Sequence, residues 1–145
     1  MHRLLVDKEE YRLAWLNGSD CLLASARDEL IGFRTVSTFF SEIREFRAAS
    51  GAHALVLDIR PMAKLPDELW AWVGRCWYTQ MIELGLKRQA VVAPLNLSAK
   101  MQWRGLAVPR LASKNFTKVS KAIHWISSDS AEHRPNLRRM ELLPA

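Results

Sequence analysis

Two apolar runs separated by one helix-length segment constrain the fold more than any other feature of the sequence. The runs HALVLDI (residues 53–59) and KRQAVVAPL (residues 87–95) have the length and continuous apolar character of strands covered on both faces. Between them, PDE at residues 66–68 is typical of a helix start, and Gly85 followed by Leu86 is typical of a helix end. A strand, a helix and a strand joined by short loops indicate a right-handed crossover, so the two strands are predicted to be parallel.

The flanking segments extend this pattern in both directions. LLVD, YRLAWLN and CLLASAR read as strands, and the last two flank a hairpin-type turn at residues 17–20. VSTFFSEIREFRAASG reads as a helix with Ser37 as its N-cap and Gly51 at its end. After the second apolar run come a short helix capped by Asn96 or Ser98, a weaker strand RLASKNF and a last helix TKVSKAIHWI. The fold class predicted is therefore α/β, with one mixed sheet.

This sheet has an antiparallel hairpin region at its N-terminal side and parallel strands at its C-terminal side, with about four helices packed mainly on one side. The 145 residues predict one domain over 1–126, and residues 127–145 are predicted to be a poorly ordered tail. The cysteines, Cys21 and Cys76, fit no metal or redox spacing. With no signal-peptide pattern and no apolar run long enough for a membrane span, the sequence predicts a cytoplasmic protein.

The net positive charge of the chain belongs to its C-terminal third. The chain has 21 Lys and Arg and 15 Asp and Glu, and residues 84–128 contain eight of the basic residues and none of the acidic ones. These basic residues are Lys87, Arg88, Lys100, Arg104, Arg110, Lys114, Lys118 and Lys121. Such asymmetry indicates either a face that binds polyanions or a solvated basic surface. A nucleic-acid partner is not favoured, because no groove-reading element or stacking motif accompanies the charge.

The sequence shows no constellation typical of catalysis. The six glycines are isolated, the four histidines lack metal-ligand spacing, and no serine lies in a nucleophile elbow. We therefore predict no enzymatic activity, no cofactor and no metal. Asp58 and Arg60 are the most suggestive polar pair, since ligands of open α/β sheets lie beyond the carboxyl ends of the strands. They either contact a ligand or shape the loop, with Asp58 capping backbone N–H groups and Arg60 forming an ion pair.

Aromatic side chains are concentrated in the helix that begins near residue 66. Trp70 and Trp77 fall on apolar stripes, and Cys76 is predicted to be a small buried hydrophobe. Trp72 falls away from both stripes, so it is either a core residue or a contact for a partner or ligand. Trp103, on the following helix, is either core or part of an apolar mouth beside Met62.

The order and spacing of four segments resemble the SpoIIAA-like group of the STAS superfamily, whose names also link it to the lipid-binding CRAL-TRIO domains. The segments are LVLDIR, a tryptophan early in the next helix, GLKRQAVVAP and FTKVSKAIHWI. The resemblance implies a mixed sheet of four or five strands, no enzymatic activity, and binding of protein partners or, in some members, nucleotides or lipids. Related anti-sigma factor antagonists carry a phosphorylatable serine at the start of the helix. PMAKLPD, the matching segment at residues 61–67, has no Ser or Thr, which excludes that switch at this position.

Three functions remain as hypotheses. The first is a non-enzymatic STAS-like module that docks a protein partner or its own copy through the 62–64 loop and the next helix. The second is a pocket for a small apolar or lipid-like ligand, lined by Trp72, Trp103 and Met62, with Arg60 or Lys100 holding the head group. The third is polyanion binding through the basic third of the chain. The candidate contact residues for a partner or ligand are Asp58, Arg60, Met62, Lys64, Trp72 and Trp103.

Overall fold

One six-stranded sheet organises the computed structural model, which describes residues 2–16 and 20–128. Its strands are β1 (His2–Asp7), β2 (Tyr11–Leu16), β3 (Cys21–Ala26), β4 (Ala54–Asp58), β5 (Arg88–Val92) and β6 (Ala112–Phe116), in that spatial order. The β1–β2 and β2–β3 pairs are antiparallel, and the β3–β4, β4–β5 and β5–β6 pairs are parallel. The predicted mixed sheet is therefore confirmed. Most of the predicted hairpin turn, residues 17–19, lies outside the described residues.

Four helices accompany the sheet. They are α1 (Phe33–Ser50), α2 (the consecutive segments Asp67–Trp72, Val73–Trp77 and Tyr78–Glu83), α3 (Leu97–Arg104) and α4 (119–128). The helices α1, α2 and α3 each connect two neighbouring parallel strands, and α4 follows β6. Because every parallel connection returns the chain to the same end of the sheet, the loops that follow β3, β4, β5 and β6 all leave from the carboxyl edge.

The two faces of the sheet bury two separate cores. In β4, Leu55 and Leu57 enter the larger core under α1 and α2, whereas Ala54 and Val56 enter the smaller core that includes Ala122 of α4. Side chains alternate between faces along a strand, so a strand covered on both faces reads as a continuous apolar run. This arrangement explains the HALVLDI segment and confirms that the helices pack mainly on one side.

Local capping chemistry was predictable, with one exception. Gly51 ends α1 in the left-handed region, Gly85 follows α2 with a positive φ, and the Asn96 side chain accepts a hydrogen bond from the backbone N–H of Ala99 at 2.9 Å. The prediction that Ser37 caps α1 is wrong, because α1 begins one turn earlier, at Phe33. The additional turn places Val36 in the larger core, and burial of that side chain favours the longer helix.

The predicted boundary between the domain and its tail falls within the last turn of α4. The helix α4 continues through residue 128, past the boundary placed at residue 126. A side-chain contact supports this part of the helix, since Nη1 of Arg88 donates to the carbonyl oxygen of Ile126 at 2.9 Å. The remainder of the predicted tail, residues 129–145, lies outside the described residues.

The middle of α2 is a π-helical turn. Val73–Trp77 takes the wider geometry, and the backbone N–H of Tyr78 donates to the carbonyl oxygen of Val73, five residues back. This turn accommodates one residue more than an α-helical turn, so the residues after it bury a different face from the one a regular helix predicts. Tyr78 is fully buried, and Cys76 is exposed. The prediction of a buried Cys76 is therefore wrong.

Candidate functional site

Loops from three strands meet at the carboxyl edge of the sheet. The backbone N–H of Leu95, after β5, donates to the carbonyl oxygen of Arg60, after β4, at 2.9 Å. The side-chain amide of Gln102 on α3 forms two hydrogen bonds of 2.9 Å with the backbone of Leu65, one in each direction. A cleft of about 190 Å³ separates residues 29–36 from residues 63–69. The loop after β3 therefore borders the loop after β4, which is fixed to α3.

Asp58 and Arg60 form a bidentate ion pair at this edge. Nε of Arg60 donates to Oδ1 of Asp58 at 2.9 Å, and Nη2 donates to Oδ2 at 2.9 Å. The Asp58 side chain is only 7% exposed, whereas that of Arg60 is 43% exposed. The hydrogen bonds to Asp58 raise the pKa of the Arg60 guanidinium above its usual value. Since both carboxylate oxygens bind the neighbouring side chain, this geometry suits a residue that shapes the loop.

Two of the other candidate residues are core residues. Met62 has none of its surface exposed, and Trp103 is 3% exposed. The Trp103 ring stacks on Phe40 at a centroid distance of 6.3 Å and meets the edge of Trp70 at 5.0 Å. Side chains in these positions support the edge from inside and do not contact a partner. Their packing also argues against an apolar ligand pocket lined by Met62 and Trp103.

The last two candidates retain accessible surface. Lys64 is exposed, and Trp72 is half-buried with its ring edge toward Phe40 at a centroid distance of 6.5 Å. Together with the half-buried Arg60, they are the members of the candidate set that a partner can reach. Trp72 is therefore partly a core residue and partly a surface residue.

Sequence reasoning missed an apolar surface at the carboxyl edge. Seven large hydrophobic side chains are exposed within residues 2–16 and 20–128, and five of them lie on the loops or helix starts at this edge. These five are Ile31, Phe33, Leu95, Leu97 and Met101. The pattern of α3 held a clue: Ala99 and Trp103 form its buried side, while Leu97 and Met101 are spaced one turn apart on an exposed side. We call these five residues with Lys64 the carboxyl-edge face.

Charge differs between the two ends of the carboxyl-edge face. Exposed acidic residues lie near Ile31 and at the start of α2. They are Asp28, Glu29, Asp67 and Glu68. At the other end, Lys100 and Arg104 accompany Met101 on α3. Within the residues that the structure describes, none of these six charged side chains forms an ion pair.

A second feature is a basic cavity of about 650 Å³. It lies between the carboxyl ends of β5 and β6, α3 and α4, and we call it the basic cavity. Its cationic lining residues are Lys100, Arg104, Lys114 and Lys121, and its aromatic ones are Phe116, His124 and Trp125. The Phe116 and Trp125 rings lie 5.8 Å apart, and Nζ of Lys114 lies 5.6 Å from the Phe116 ring centroid. The charge asymmetry of the sequence predicted its cations but not that they line one concave site.

The comparisons with known proteins assign no family. No protein-family model matches the chain, and no curated protein matches it. The resemblance to SpoIIAA-like STAS domains therefore stays a prediction.

Two further findings concern the described ranges, 2–16 and 20–128. No helix there is both long enough and apolar enough to cross a bilayer. No group of three or more His, Cys, Asp or Glu residues there has the arrangement of a metal site.

Burial raises the pKa of the Cys21 thiol to about 12, so this thiol is neutral at physiological pH.

We expect the Asp58–Arg60 ion pair to stabilise the folded protein. Arg60→Met should lower the free energy of unfolding by about 1–2 kcal/mol, because it leaves a buried carboxylate without its charged partner. The figure is at the low end for a buried pair because Arg60 is 43% exposed. Urea titration followed by tryptophan fluorescence measures the change.

Lys64→Met provides the matched control. Lys64 is an exposed cation in the same loop and forms no ion pair with any described residue, so its replacement should change stability by less than about 0.5 kcal/mol. Asp58→Asn combined with Arg60→Met should recover part of the loss, because the buried charge is then gone. Equal effects of Arg60→Met and Lys64→Met would show that the ion pair has no structural role.

Proposed function

We propose that this chain is a non-enzymatic, STAS-like binding module that self-associates through its carboxyl-edge face. The observation that carries the proposal is the concentration of five exposed large hydrophobic side chains at one edge of the sheet. Exposed apolar side chains grouped in one region are typical of interaction sites, whereas single exposed ones are common on any surface. Leu4, on the edge strand β1, and Leu84, after α2, are such isolated cases.

The charges of the face favour a second copy of the chain as the partner. A twofold dimer brings the same patch of both subunits together, so each residue on one side of the axis meets a residue from the other side. The acidic end of the face, with Glu29 and Asp67, then lies opposite the basic end, with Lys100 and Arg104, in the other subunit. A face with one acidic and one basic end is complementary to itself.

The sequence resemblance supports a binding role in a second, independent way. Proteins of the STAS superfamily, which the sequence resembles, generally bind protein partners, and the resemblance implies no enzymatic activity. Family membership, a non-enzymatic role and a cytoplasmic location are parts of this proposal. The anchored loop adds a physical reason: the Asp58–Arg60 pair and the Leu65–Gln102 hydrogen bonds hold the face in one conformation, which lowers the entropic cost of association.

Light scattering over a concentration series tests self-association. Wild-type protein should change from monomer to dimer with rising concentration, and the double variant Ile31→Ser with Leu97→Ser should weaken dimerisation by at least about tenfold. The two side chains are 78% and 71% exposed, so neither substitution should disturb folding. High salt should also weaken the dimer, because it screens the opposed charges.

Leu4→Ser is the matched control. Leu4 is 49% exposed but lies on β1, away from the carboxyl-edge face, so its replacement should leave the dimerisation constant unchanged. A wild-type chain that remains monomeric at every concentration, or a dimer that the control weakens as much as the double variant does, contradicts the proposal.

A further inference from the structure

We propose that the basic cavity binds a small organic anion in which a phosphate or carboxylate is joined to a flat apolar body. The cavity shares Lys100 and Arg104 with the basic end of the carboxyl-edge face, but Lys114, Lys121 and Trp125 line the cavity alone. The proposal does not depend on self-association. Its basis is the combination of an unbalanced group of cations, an aromatic wall and a concave volume of small-molecule size that is open to solvent.

The charges that line the cavity favour a bound anion. Lys100, Arg104, Lys114 and Lys121 come from three elements, α3, β6 and α4, and all four line one cavity. No acidic residue lines the cavity, and residues 84–128 contain none at all. Among the residues that the structure describes, none of the four cations forms an ion pair. Like charges brought together in this way repel each other, and a bound anion relieves that repulsion.

Two aromatic rings form one wall of the cavity. Phe116 and Trp125 lie 5.8 Å apart with their rings inclined by 48°, and they border the smaller core. Both rings line the cavity beside the cations. A ligand with only a charged group would leave this wall uncovered, whereas a flat apolar body attached to the anion would bury it.

The size and the position of the cavity are those of a small-molecule site. A volume of about 650 Å³ falls within the range of small-molecule sites, roughly 300–1,000 Å³. The cavity opens where β5 and β6 end, and the carboxyl ends of parallel strands are the usual location of ligand sites in α/β sheets. A concave site of this size fits a compact organic anion, whereas a long polyanion needs an extended basic groove.

Calorimetry on the full chain tests the proposal with five probes: phenyl phosphate, benzoate, inorganic phosphate, acetate and phenol. At least one of the two aromatic anions should bind saturably with one site per chain and at least about tenfold more tightly than phosphate or phenol, because it uses both halves of the cavity. The preference between phenyl phosphate and benzoate identifies the charged group. Absence of saturable binding for both aromatic anions overturns the proposal.

Three variants assign the binding to the cavity. Lys114→Gln and Lys121→Gln should each weaken binding of the preferred probe by about tenfold. Trp125→Leu should lower the affinity for the preferred probe to about the affinity for inorganic phosphate. If benzoate is the preferred probe, the affinity should fall to about that for acetate. Lys118→Gln is the control, because Lys118 belongs to the same basic third but does not line the cavity. If Lys118→Gln weakens binding as much as Lys114→Gln does, the binding is diffuse surface attraction and the proposal fails.

A spectroscopic measurement on wild-type protein keeps the test valid if a variant does not fold. The indole N–H resonance of Trp125 should shift during titration with the preferred probe, whereas that of Trp77 should not. Trp77 is fully buried in the opposite core, and its indole N–H donates to the carbonyl oxygen of Phe40. Equal shifts of both resonances, or none, overturn the proposal. The dimerisation constant is measured separately, so either proposal can fail alone.

Discussion

One alanine inserted between Arg75 and Cys76 should unfold the protein, whereas deletion of Arg75 should leave it folded. The insertion turns every later residue of α2 by about 100° relative to the residues before it. Trp77, Tyr78 and Met81, all fully buried, would then leave the core. Truncating one such large side chain costs about 3–5 kcal/mol, so displacing all three costs about as much as the whole stability of an ordinary domain, about 5–15 kcal/mol.

The deletion has the opposite consequence because α2 already contains an extra residue. Leu69, Val73, Trp77 and Met81 are buried at intervals of four, a spacing that drifts by about 40° per step in a regular α-helix. Tyr78 is buried as well. Removal of Arg75 places the five buried residues at i, i+4, i+7, i+8 and i+11, the pattern of one face of an α-helix. The π-helical turn can then become an α-helical turn while both ends of α2 stay in place.

Circular dichroism and urea titration distinguish these outcomes. The deletion variant should retain a cooperative transition within about 1 kcal/mol of wild type, and the insertion variant should show no such transition under native conditions. Arg75 suits the deletion because its side chain is exposed. Among the described side chains, the hydroxyl of Thr79 alone donates a hydrogen bond to the Arg75 carbonyl oxygen. Two variants with the same stability would show that the π-helical turn does not set the register.

The parts of the fold that sequence predicts are those determined by neighbouring residues. The apolar run of β4 is continuous because both faces of that strand are covered, and Gly51 and Asn96 end or begin helices through contacts within one turn. The Asp58–Arg60 pair belongs to the same class, since its two residues are close in sequence at the end of a strand.

The remainder depends on contacts between distant segments. Met62 reads as a loop residue, yet the loop folds inward and buries it. Cys76 lies on an apolar stripe of a regular helix, yet the π-helical turn exposes it. The basic cavity joins Lys100, Lys114 and Lys121, which meet only because β5 and β6 are parallel neighbours. Composition shows that these residues share a charge but does not show that they line the same cavity.

Gly85→Ala should lower the free energy of unfolding by about 2–3 kcal/mol, the second large effect we expect. Gly85 has a φ of 109°, outside the range that residues with a Cβ adopt readily. Gly85 lies at the end of α2, where its backbone N–H donates to the carbonyl oxygen of Ile82 at 2.9 Å. The backbone N–H of Leu86 donates to the carbonyl oxygen of Met81 at 2.8 Å. A Cβ at this position would also overlap Nη2 of Arg47.

Two companion variants separate these causes. Gly74→Ala should instead raise stability by about 0.5–1 kcal/mol, because Gly74 is helical, has no positive φ, and its new Cβ would meet no atom within 4 Å. Arg47→Ala removes the overlapping guanidinium, so in a double-mutant cycle the remaining cost of Gly85→Ala is the backbone strain alone. Arg47 is itself buried, which is why its own effect must be subtracted. If Gly85→Ala and Gly74→Ala change stability alike, neither the positive φ nor the close approach of Arg47 constrains the end of α2.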